Sequence, residues 1–225
     1  TTDSEVLMHL IARTKADSLE ECLQLISEKI KGAYSIIIGT KKKLYGVRDP
    51  YGFRPLVFGQ KDDVSILASE SCALDLLGAK FIRDVKPGEL LSITKTDYES
   101  RSLPKEPDPR YCAFEPIYFS RPDSLLERKS VYDYRKDMGR SLAKENPVSA
   151  DLVIAVPDSG VPAALGYSEE TGLPLELGLV RNHYVGRTFI EPTQEIRDFR
   201  VKLKLNPVRS VLSGKRVVVI DDSLV

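Results

Sequence analysis

The feature that most constrains the fold is the run from Arg216 to Ile220, whose last four residues are aliphatic and are followed directly by two acidic residues. Its consecutive aliphatic residues predict a strand that is buried on both faces, as in a parallel sheet. Similar runs from Asp151 to Val156 and from Pro174 to Val180 alternate with helical patterns near Ser130–Lys144 and after Val161. This alternation predicts a parallel, doubly covered α/β sheet in the second half of the chain.

The first half of the chain has a different pattern. Two capping boxes, Thr2–Glu5 and Ser18–Glu21, each precede an apolar stripe and predict two helices, the second ended by Gly32. From Tyr34 to Ile93, short β-rich runs are separated by turn signals, with one short helix predicted over Glu70–Leu77. This half is therefore predicted to be a largely antiparallel sheet with helices.

A proline-rich segment separates the two patterns. Pro104 to Pro109 holds three prolines in six residues, which neither a helix nor an inner strand accommodates. We therefore predict a first domain over residues 1–103, a linker over 104–111 and a second domain over 112–225.

Composition excludes several classes of function. The chain has 33 basic and 33 acidic residues, so its net charge is zero and it lacks the attraction on which nonspecific nucleic-acid binding depends. No apolar stretch is long enough to span a bilayer, which favours a cytoplasmic protein without membrane partners. Three dispersed cysteines without a CxxC pair argue against a disulfide framework and against a self-contained zinc site.

Asp221 and Asp222 follow the closing apolar run directly. In open α/β sheets, ligands bind at the carboxyl ends of the strands. Two adjacent carboxylates repel each other, so the pair indicates sugar hydroxyls or a hydrated Mg²⁺ as its partner. The alternative is an ordinary acidic turn at the end of a strand.

Two further segments indicate an anionic ligand. The strand from Asp151 runs into the turn Pro157–Gly160 before a helix, which offers backbone N–H groups and a helix N-terminus to an anion. Arg181–Ile190 combines two arginines, a glycine and apolar residues, and could fold over such a ligand and exclude water. Each segment alone also fits an ordinary loop, because such loops occur throughout α/β proteins.

Together these segments resemble a known family. VVVIDDS is similar to the signature of type I phosphoribosyltransferases. With YVGRTFIEP, VPDSG and FEPIYFSRPDS it closely resembles the amidophosphoribosyltransferase family, as do RDPYGFRPL, ASESCALD and VKPGEL in the first half. The resemblance covers nearly the whole chain. It implies the C-terminal part of an α+β N-terminal-nucleophile glutaminase domain, followed by the N-terminal part of an α/β type I phosphoribosyltransferase domain.

The family's activity follows from this resemblance as an expectation. Its members release ammonia from glutamine and use it to displace pyrophosphate from phosphoribosyl pyrophosphate, forming 5-phosphoribosylamine for purine synthesis. Glutamine, phosphoribosyl pyrophosphate and Mg²⁺ are therefore the expected ligands, and a homo-oligomer is the expected assembly.

The resemblance also assigns roles to residues. Asp3 matches the acidic residue that holds the α-amino group of glutamine, while Ser159, Asp221 and Asp222 match positions that hold Mg²⁺ and phosphoribosyl pyrophosphate. The loop that closes over the substrate and helps to wall an ammonia channel corresponds to Arg181, Tyr184, Arg187, Thr188, Phe189 and Ile190. At the start of this loop the family commonly has lysine, so Arg181 keeps the charge but changes the donor geometry.

Other parts of the family pattern are missing. The catalytic N-terminal cysteine and the phosphate loop do not occur in this sequence, so no catalytic residue is assigned, and we expect Cys before Thr1 and RGTT-like residues after Val225. By itself, the chain is expected to lack glutaminase activity and to have little or no transferase activity. Cys112 matches a [4Fe-4S] ligand of some members, but a packing role is favoured because a cluster needs four thiolates.

Two alternatives stay open at this point. The first is a salvage phosphoribosyltransferase that uses a purine base, against which the upstream sheet domain and the YVGRTFI loop argue. The second is a transcriptional regulator that binds phosphoribosyl pyrophosphate as an effector. Zero net charge and the lack of a helix-turn-helix pattern weaken this second reading.

Overall fold

The computed structural model describes residues 2–184 and 193–223, and the chain divides into two compact units. Unit 1 comprises Thr1–Glu115 and Ser124–Arg128, and unit 2 comprises Pro116–Asp123 and Lys129–Val225. The first unit therefore continues through the segment predicted as a linker at 104–111. The reason is backbone hydrogen bonding, because Asp108 N donates to Pro50 O at 2.9 Å and Arg110 N to Tyr51 O at 2.8 Å.

Unit 1 begins with two helices, α1 (Asp3–Arg13) and α2 (Leu19–Ser27). The N-cap bond of each predicted capping box forms, since the Thr2 hydroxyl accepts from Glu5 N and the Ser18 hydroxyl from Glu21 N, whereas the Glu21 carboxylate accepts from Asp17 N. The prediction that Gly32 ends the second helix is wrong. The helix ends at Ser27, where the side-chain hydroxyl donates to the Gln24 carbonyl and competes with continued helix.

The rest of unit 1 is antiparallel sheet, as predicted. Its elements are β1 (Ser35–Gly39), β2 (Leu44–Arg48), β3 (Val57–Lys61), β4 (Val64–Ala68), α3 (Cys72–Leu77), β5 (Lys80–Asp84), β6 (Glu89–Ile93) and β7 (Tyr98–Ser102). The strands form one sheet in the order β1-β2-β6-β7 and another in the order β4-β3-β5. The predicted short helix is α3, which begins at Cys72 and ends where Gly78 adopts a left-handed conformation.

Strand β6 is buried along its whole length because layers cover both of its faces. Leu90 packs with the helix side of the core, beside Leu23 and Ile26 of α2, whereas Leu91 and Ile93 pack with Leu56, Phe58 and Val85. Each fully buried side chain of this kind contributes about 1.5–3 kcal/mol. Its one charged residue, Glu89, accepts from both Arg83 Nη atoms, from Ser100 Oγ and from Lys86 N.

The chain then passes through a π-helical turn (Glu115–Phe119) and two short strands, β8 (Leu125–Leu126) and β9 (Lys129–Ser130). The remaining elements are α4 (Val131–Glu145), β10 (Leu152–Ala155), α5 (Val161–Thr171), β11 (Leu179–Arg181), α6 (Gln194–Lys204), β12 (Leu205–Pro207), α7 (Arg209–Leu212) and β13 (Val217–Ile220). The predicted helix near Ser130–Lys144 is α4. Two of the three predicted parallel strands are β10 and β13, which pair in parallel from Leu152↔Val217 to Ala155↔Ile220.

The third predicted strand, Pro174–Val180, is wrong as a single element. Leu175 makes only an isolated parallel bridge to Val153, and Leu177 is 80% exposed. At Gly178 an added Cβ would lie 2.5 Å from Ile154 Cγ2, so the chain passes close to β10 there. It then continues as β11, which pairs antiparallel with β12.

The expectation that β13 is buried on both faces is also wrong for the described residues. Val218 and Ile220 pack with Ala164 and Tyr167 of α5, but Val219, whose side chain points to the opposite face, is 54% exposed. The described part of unit 2 therefore covers this strand on one face.

Helices α4 and α5 pack with their backbones in close approach. A Cβ added to Gly139 would lie 1.9 Å from Ala163 O, and one added to Gly166 would lie 1.9 Å from Lys136 O. Only glycine fits at these two positions, so each helix contributes one glycine to the contact. None of the described helices is long and apolar enough to cross a bilayer.

Candidate functional site

The parallel pairing of β10 and β13 places both of their carboxyl ends at one edge of the sheet. The turn after β10 leads through Ser159 into α5, and β13 leads into Asp221 and Asp222. Val156 N donates to Ile220 O at 2.8 Å, which extends the pairing beyond the strands. An added Cβ on Gly160 would lie 2.7 Å from Ile220 O and 3.3 Å from Asp221 Cα. The backbone that carries Ser159 is therefore packed directly against the backbone that carries the acidic pair.

Helix α5 begins at this edge without a side-chain cap. Gly160 is its N-cap residue, and Pro162 lies in its first turn. Proline is favoured there because the N–H it lacks would have no partner within the helix. The helix dipole is positive at this end, so the turn favours an anion. The Ser159 side chain lies beside this helix end, and it is partly buried.

The acidic pair is held by local hydrogen bonds. Asp222 N donates to Asp221 Oδ1 at 2.8 Å, and Ser223 Oγ donates to Asp222 Oδ1 at 2.7 Å. Partial burial raises the pKa of Asp221, the negative charge of Asp222 raises it further, and the Asp222 backbone N–H lowers it. Two carboxylates in this position are stabilised by a cation or by hydroxyl donors.

Arg181 is the last residue of β11, where it is opposite Leu205 of β12. Its Nη1 forms an ion pair with Asp158 Oδ2, and its side chain is 31% exposed against 63% for Asp158. The Nε atom of Arg181 is buried and has no hydrogen-bond partner among the described residues. Sequence reasoning missed Asp158. The only available signal was its position beside Ser159, because 23 residues separate it from Arg181.

The closing loop predicted from the sequence is described only at its start. Asn182 Oδ1 accepts from Tyr184 N at 3.1 Å, which forms a tight turn, and the Tyr184 side chain is fully exposed. Arg187, Thr188, Phe189 and Ile190 lie outside the described residues.

The two remaining predicted site residues lie in unit 1. Asp3 is exposed in the first turn of α1, and Cys112 is a partly buried free thiol. Within residues 2–184 and 193–223, no three His, Cys, Asp or Glu side chains are arranged to hold a metal ion. The described residues hold three free cysteines, which are Cys22, Cys72 and Cys112.

Comparison with known proteins gives consistent matches along the chain. Residues 1–76 match a family model described as a glutamine amidotransferase domain. The whole chain is 54% identical to amidophosphoribosyltransferase 1, chloroplastic, of Arabidopsis thaliana, of which it covers 40%. It is also 52% identical to the amidophosphoribosyltransferase of Rhizobium etli and covers 46% of it.

Solved structures agree with these matches. A glutamine phosphoribosylpyrophosphate amidotransferase from B. subtilis, complexed with ADP and GMP, superimposes with a TM-score of 0.93 at 45% identity. The match covers 100% of this chain and 50% of that one. A structure described as the allosteric regulatory enzyme of purine biosynthesis gives a TM-score of 0.92 at 46% identity. Along its whole length, this chain therefore matches amidophosphoribosyltransferases, and it spans half or less of the relatives it matches.

Proposed function

We propose that this chain is part of an amidophosphoribosyltransferase, which converts phosphoribosyl pyrophosphate and glutamine to 5-phosphoribosylamine, glutamate and pyrophosphate. The observation that carries this proposal is the close packing of the Gly160 backbone against Ile220 and Asp221. It joins an anion-favouring turn to an acidic pair at the carboxyl edge of a parallel sheet. A substrate that carries a diphosphate on a ribose requires an anion-binding turn for the diphosphate and, next to it, carboxylates for the ribose hydroxyls.

Each part of the edge has a distinct role in this proposal. The turn Pro157–Gly160 and the start of α5 take the diphosphate, and Ser159 donates to it or to its cation. Asp221 and Asp222 accept hydrogen bonds from the ribose hydroxyls. This fixes the C1–O bond of the substrate between the two segments, which orients it for attack by ammonia.

The residues at the edge also suit Mg²⁺. This ion takes oxygen ligands and is usually bound by one or two carboxylates together with substrate phosphates. Asp221, Asp222 and Ser159 supply such oxygens at this edge. When bound, Mg²⁺ would offset the charge of the departing pyrophosphate.

The first half of the chain would belong to the glutamine-using domain. The match of residues 1–76 to a glutamine amidotransferase domain supports this assignment. The proposed order is a glutaminase domain followed by a phosphoribosyltransferase domain. Asp3, exposed at the start of α1, would pair with the α-amino group of glutamine, and it also favours the positive end of the helix dipole.

The remaining assignments follow from the same proposal. Arg181 to Ile190, including Thr188, would form the loop that covers the substrate, and Tyr184, Arg187, Phe189 and Ile190 would help to wall the ammonia channel. The apolar side chains among them suit that role because they exclude water that competes with ammonia. Cys112 would pack without a cluster. The protein would act in the cytoplasm as a homo-oligomer, although five plant relatives are named as chloroplastic.

Isothermal titration calorimetry with phosphoribosyl pyrophosphate and Mg²⁺ tests the proposal. We expect the chain to bind, and Asp221→Asn or Asp222→Asn to weaken binding by about tenfold, because each removes a charged acceptor. Asp151→Asn, which changes a carboxylate at the opposite end of β10, is the matched control and should bind like the unmodified chain. Equal affinities for all four proteins would overturn the proposed site.

A second expectation concerns activity. Because the catalytic cysteine and phosphate loop of the family do not occur in this sequence, the purified chain should form no detectable phosphoribosylamine. Phosphoribosylamine formation by the chain alone would contradict this part of the proposal.

A further inference from the structure

We propose that Asp158 is an internal substitute for the substrate anion, holding Arg181 at the sheet edge until a diphosphate replaces it. This inference rests on the proposed function. It adds Asp158 as a positioning residue, which acts on the ligand through Arg181.

The hydrogen bonding of Arg181 indicates that Asp158 is a partner that a ligand can replace. The Arg181 guanidinium has five N–H donors, of which Nη1 is paired with the Asp158 carboxylate. Its Nε is buried without a hydrogen-bond partner in the part of the chain that the structure describes. A buried donor without an acceptor costs free energy, so this arrangement leaves the guanidinium incompletely satisfied. A ligand with several acceptor oxygens would satisfy more of its donors.

The Asp158–Arg181 ion pair lies next to the proposed binding site for the diphosphate. Asp158 immediately precedes Ser159 and Gly160 in the turn that follows β10, and Arg181 ends β11. The Asp158 carboxylate thus accepts a hydrogen bond from Arg181 near the N-terminus of α5, where an anion is favoured. An anion that reached Arg181 would have to displace this carboxylate or share the guanidinium with it.

The pair is weak enough to be displaced. The Asp158 side chain is 63% exposed, so water and dissolved ions weaken its ion pair with Arg181. A diphosphate carries more negative charge and more acceptor oxygens than one carboxylate, and arginine binds phosphates bidentately. In the absence of ligand, the pair keeps the long Arg181 side chain at the sheet edge, but the Asp158 carboxylate competes with the ligand for the guanidinium.

Calorimetry with inorganic pyrophosphate and Mg²⁺ on the 225-residue chain tests the proposal. Asp158→Asn removes the competing charge and should tighten pyrophosphate binding by about fivefold. Arg181→Gln should weaken binding, and in that background Asp158→Asn should have little further effect. Asp151→Asn removes another Asp–Arg pair, which lies at the opposite end of β10, and should leave the affinity unchanged.

The outcomes separate this inference from the function on which it rests. If the unmodified chain does not bind pyrophosphate, the proposed edge site is wrong. If it binds, and Asp221→Asn weakens binding, but Asp158→Asn does not tighten it, only the substitute role fails. An equal gain from Asp158→Asn in the Arg181→Gln background would show that Asp158 acts by charge repulsion alone, which also overturns the substitute role.

A direct measurement keeps the test decisive if the variants bind too weakly. The Arg181 Nε–H resonance of the ¹⁵N-labelled chain should shift when pyrophosphate is added, and it should also shift in Asp158→Asn without ligand. A resonance that stays unchanged while pyrophosphate binds would overturn the proposal.

Discussion

At the scale of single residues, Gly160 determines whether the proposed site forms. The residue connects the turn after β10 to α5, and its Cα faces the carbonyl oxygens of Ile220 and Val156. Neither oxygen belongs to a flexible side chain, so a larger residue at this position must move backbone. The separation of Ser159 from Asp221 therefore depends on the absence of a Cβ at residue 160.

Gly160→Ala tests this dependence. The new Cβ would lie 2.7 Å from Ile220 O and 2.9 Å from Val156 O, which forces the turn away from β13. We expect a loss of about 1–3 kcal/mol in the free energy of unfolding and about tenfold weaker binding of Mg²⁺–phosphoribosyl pyrophosphate. Chemical denaturation and calorimetry measure the two effects. The control is Gly39→Ala, whose Cβ would meet no atom within 4 Å, and unchanged binding in Gly160→Ala would contradict the account.

A site residue could be predicted from the sequence when the feature that identifies it lies next to it in the chain. Asp221 and Asp222 follow a strand directly, and Ser159 follows another, so their positions at the carboxyl edge were predictable. Asp158 was not, because its partner Arg181 is distant in sequence and becomes its neighbour only through β11. The start of α1 was predictable because a cap and its helix are adjacent in sequence, as Thr2 and Glu5 are.

At the scale of elements, an ion pair and hydrogen bonds join β10 and β13 at the end opposite the proposed site. Arg216 Nη2 donates to Asp151 Oδ1 at 2.9 Å, Arg216 N donates to Asp151 Oδ2 at 2.8 Å, and Asp151 N donates to Arg216 O. The Arg216 guanidinium and backbone N–H lower the pKa of Asp151 to about 2. This pair thus adds to the pairing of β10 and β13 at their amino ends, whereas the register follows from the backbone pairing between Leu152–Ala155 and Val217–Ile220.

The lowered pKa predicts a pH dependence of stability. A carboxyl with a depressed pKa in the folded state contributes stability that is present above its unfolded pKa and lost as the pH falls through the folded value. For Asp151 this window runs from about 3.8 down to about 2. The thermal midpoint of the unmodified chain should therefore fall more steeply in this window than that of Asp151→Asn. Parallel curves for the two proteins would contradict the prediction.

The α4–α5 contact gives a second prediction at this scale. Gly139→Ala and Gly166→Ala should each destabilise the chain by about 1–3 kcal/mol, because each methyl would overlap a backbone carbonyl of the facing helix. In an isolated helix the same change would be stabilising. Ser141→Ala, at an exposed position of α4, is the control and should not be destabilising. Denaturant midpoints measure these effects, and higher stability in both glycine variants would contradict the packing.

Elements were predicted well where one periodicity persisted. Helix α4 and strands β10 and β13 lie where apolar spacing placed them, and the antiparallel sheets of unit 1 follow its turn signals. The prediction of a single strand over Pro174–Val180 was wrong because the segment pairs with two different partners. Leu175 forms an isolated bridge to β10, and the residues from Leu179 form β11, which pairs with β12. Hydrophobic pattern alone does not identify a strand's partner.

At the scale of the whole molecule, the chain contains two units built on different sheet types. The antiparallel unit has its own layered core, whereas the described part of the parallel unit leaves Val219 of β13 exposed. A continuous apolar run predicts a strand that is buried on both faces, but it does not show which residues pack against each face. The matched relatives are at least twice as long as this chain, so the proposed activity concerns a protein larger than the segment described.

Amide chemical-shift mapping of the ¹⁵N-labelled chain during titration with Mg²⁺ and phosphoribosyl pyrophosphate tests the proposed site directly. We expect saturable shifts concentrated at Ser159, Gly160, Asp221 and Asp222, with Asp151 and Arg216 at the amino ends of the same strands unaffected. Absence of saturable shifts at the carboxyl edge, or shifts confined to the Asp151–Arg216 edge, would contradict it.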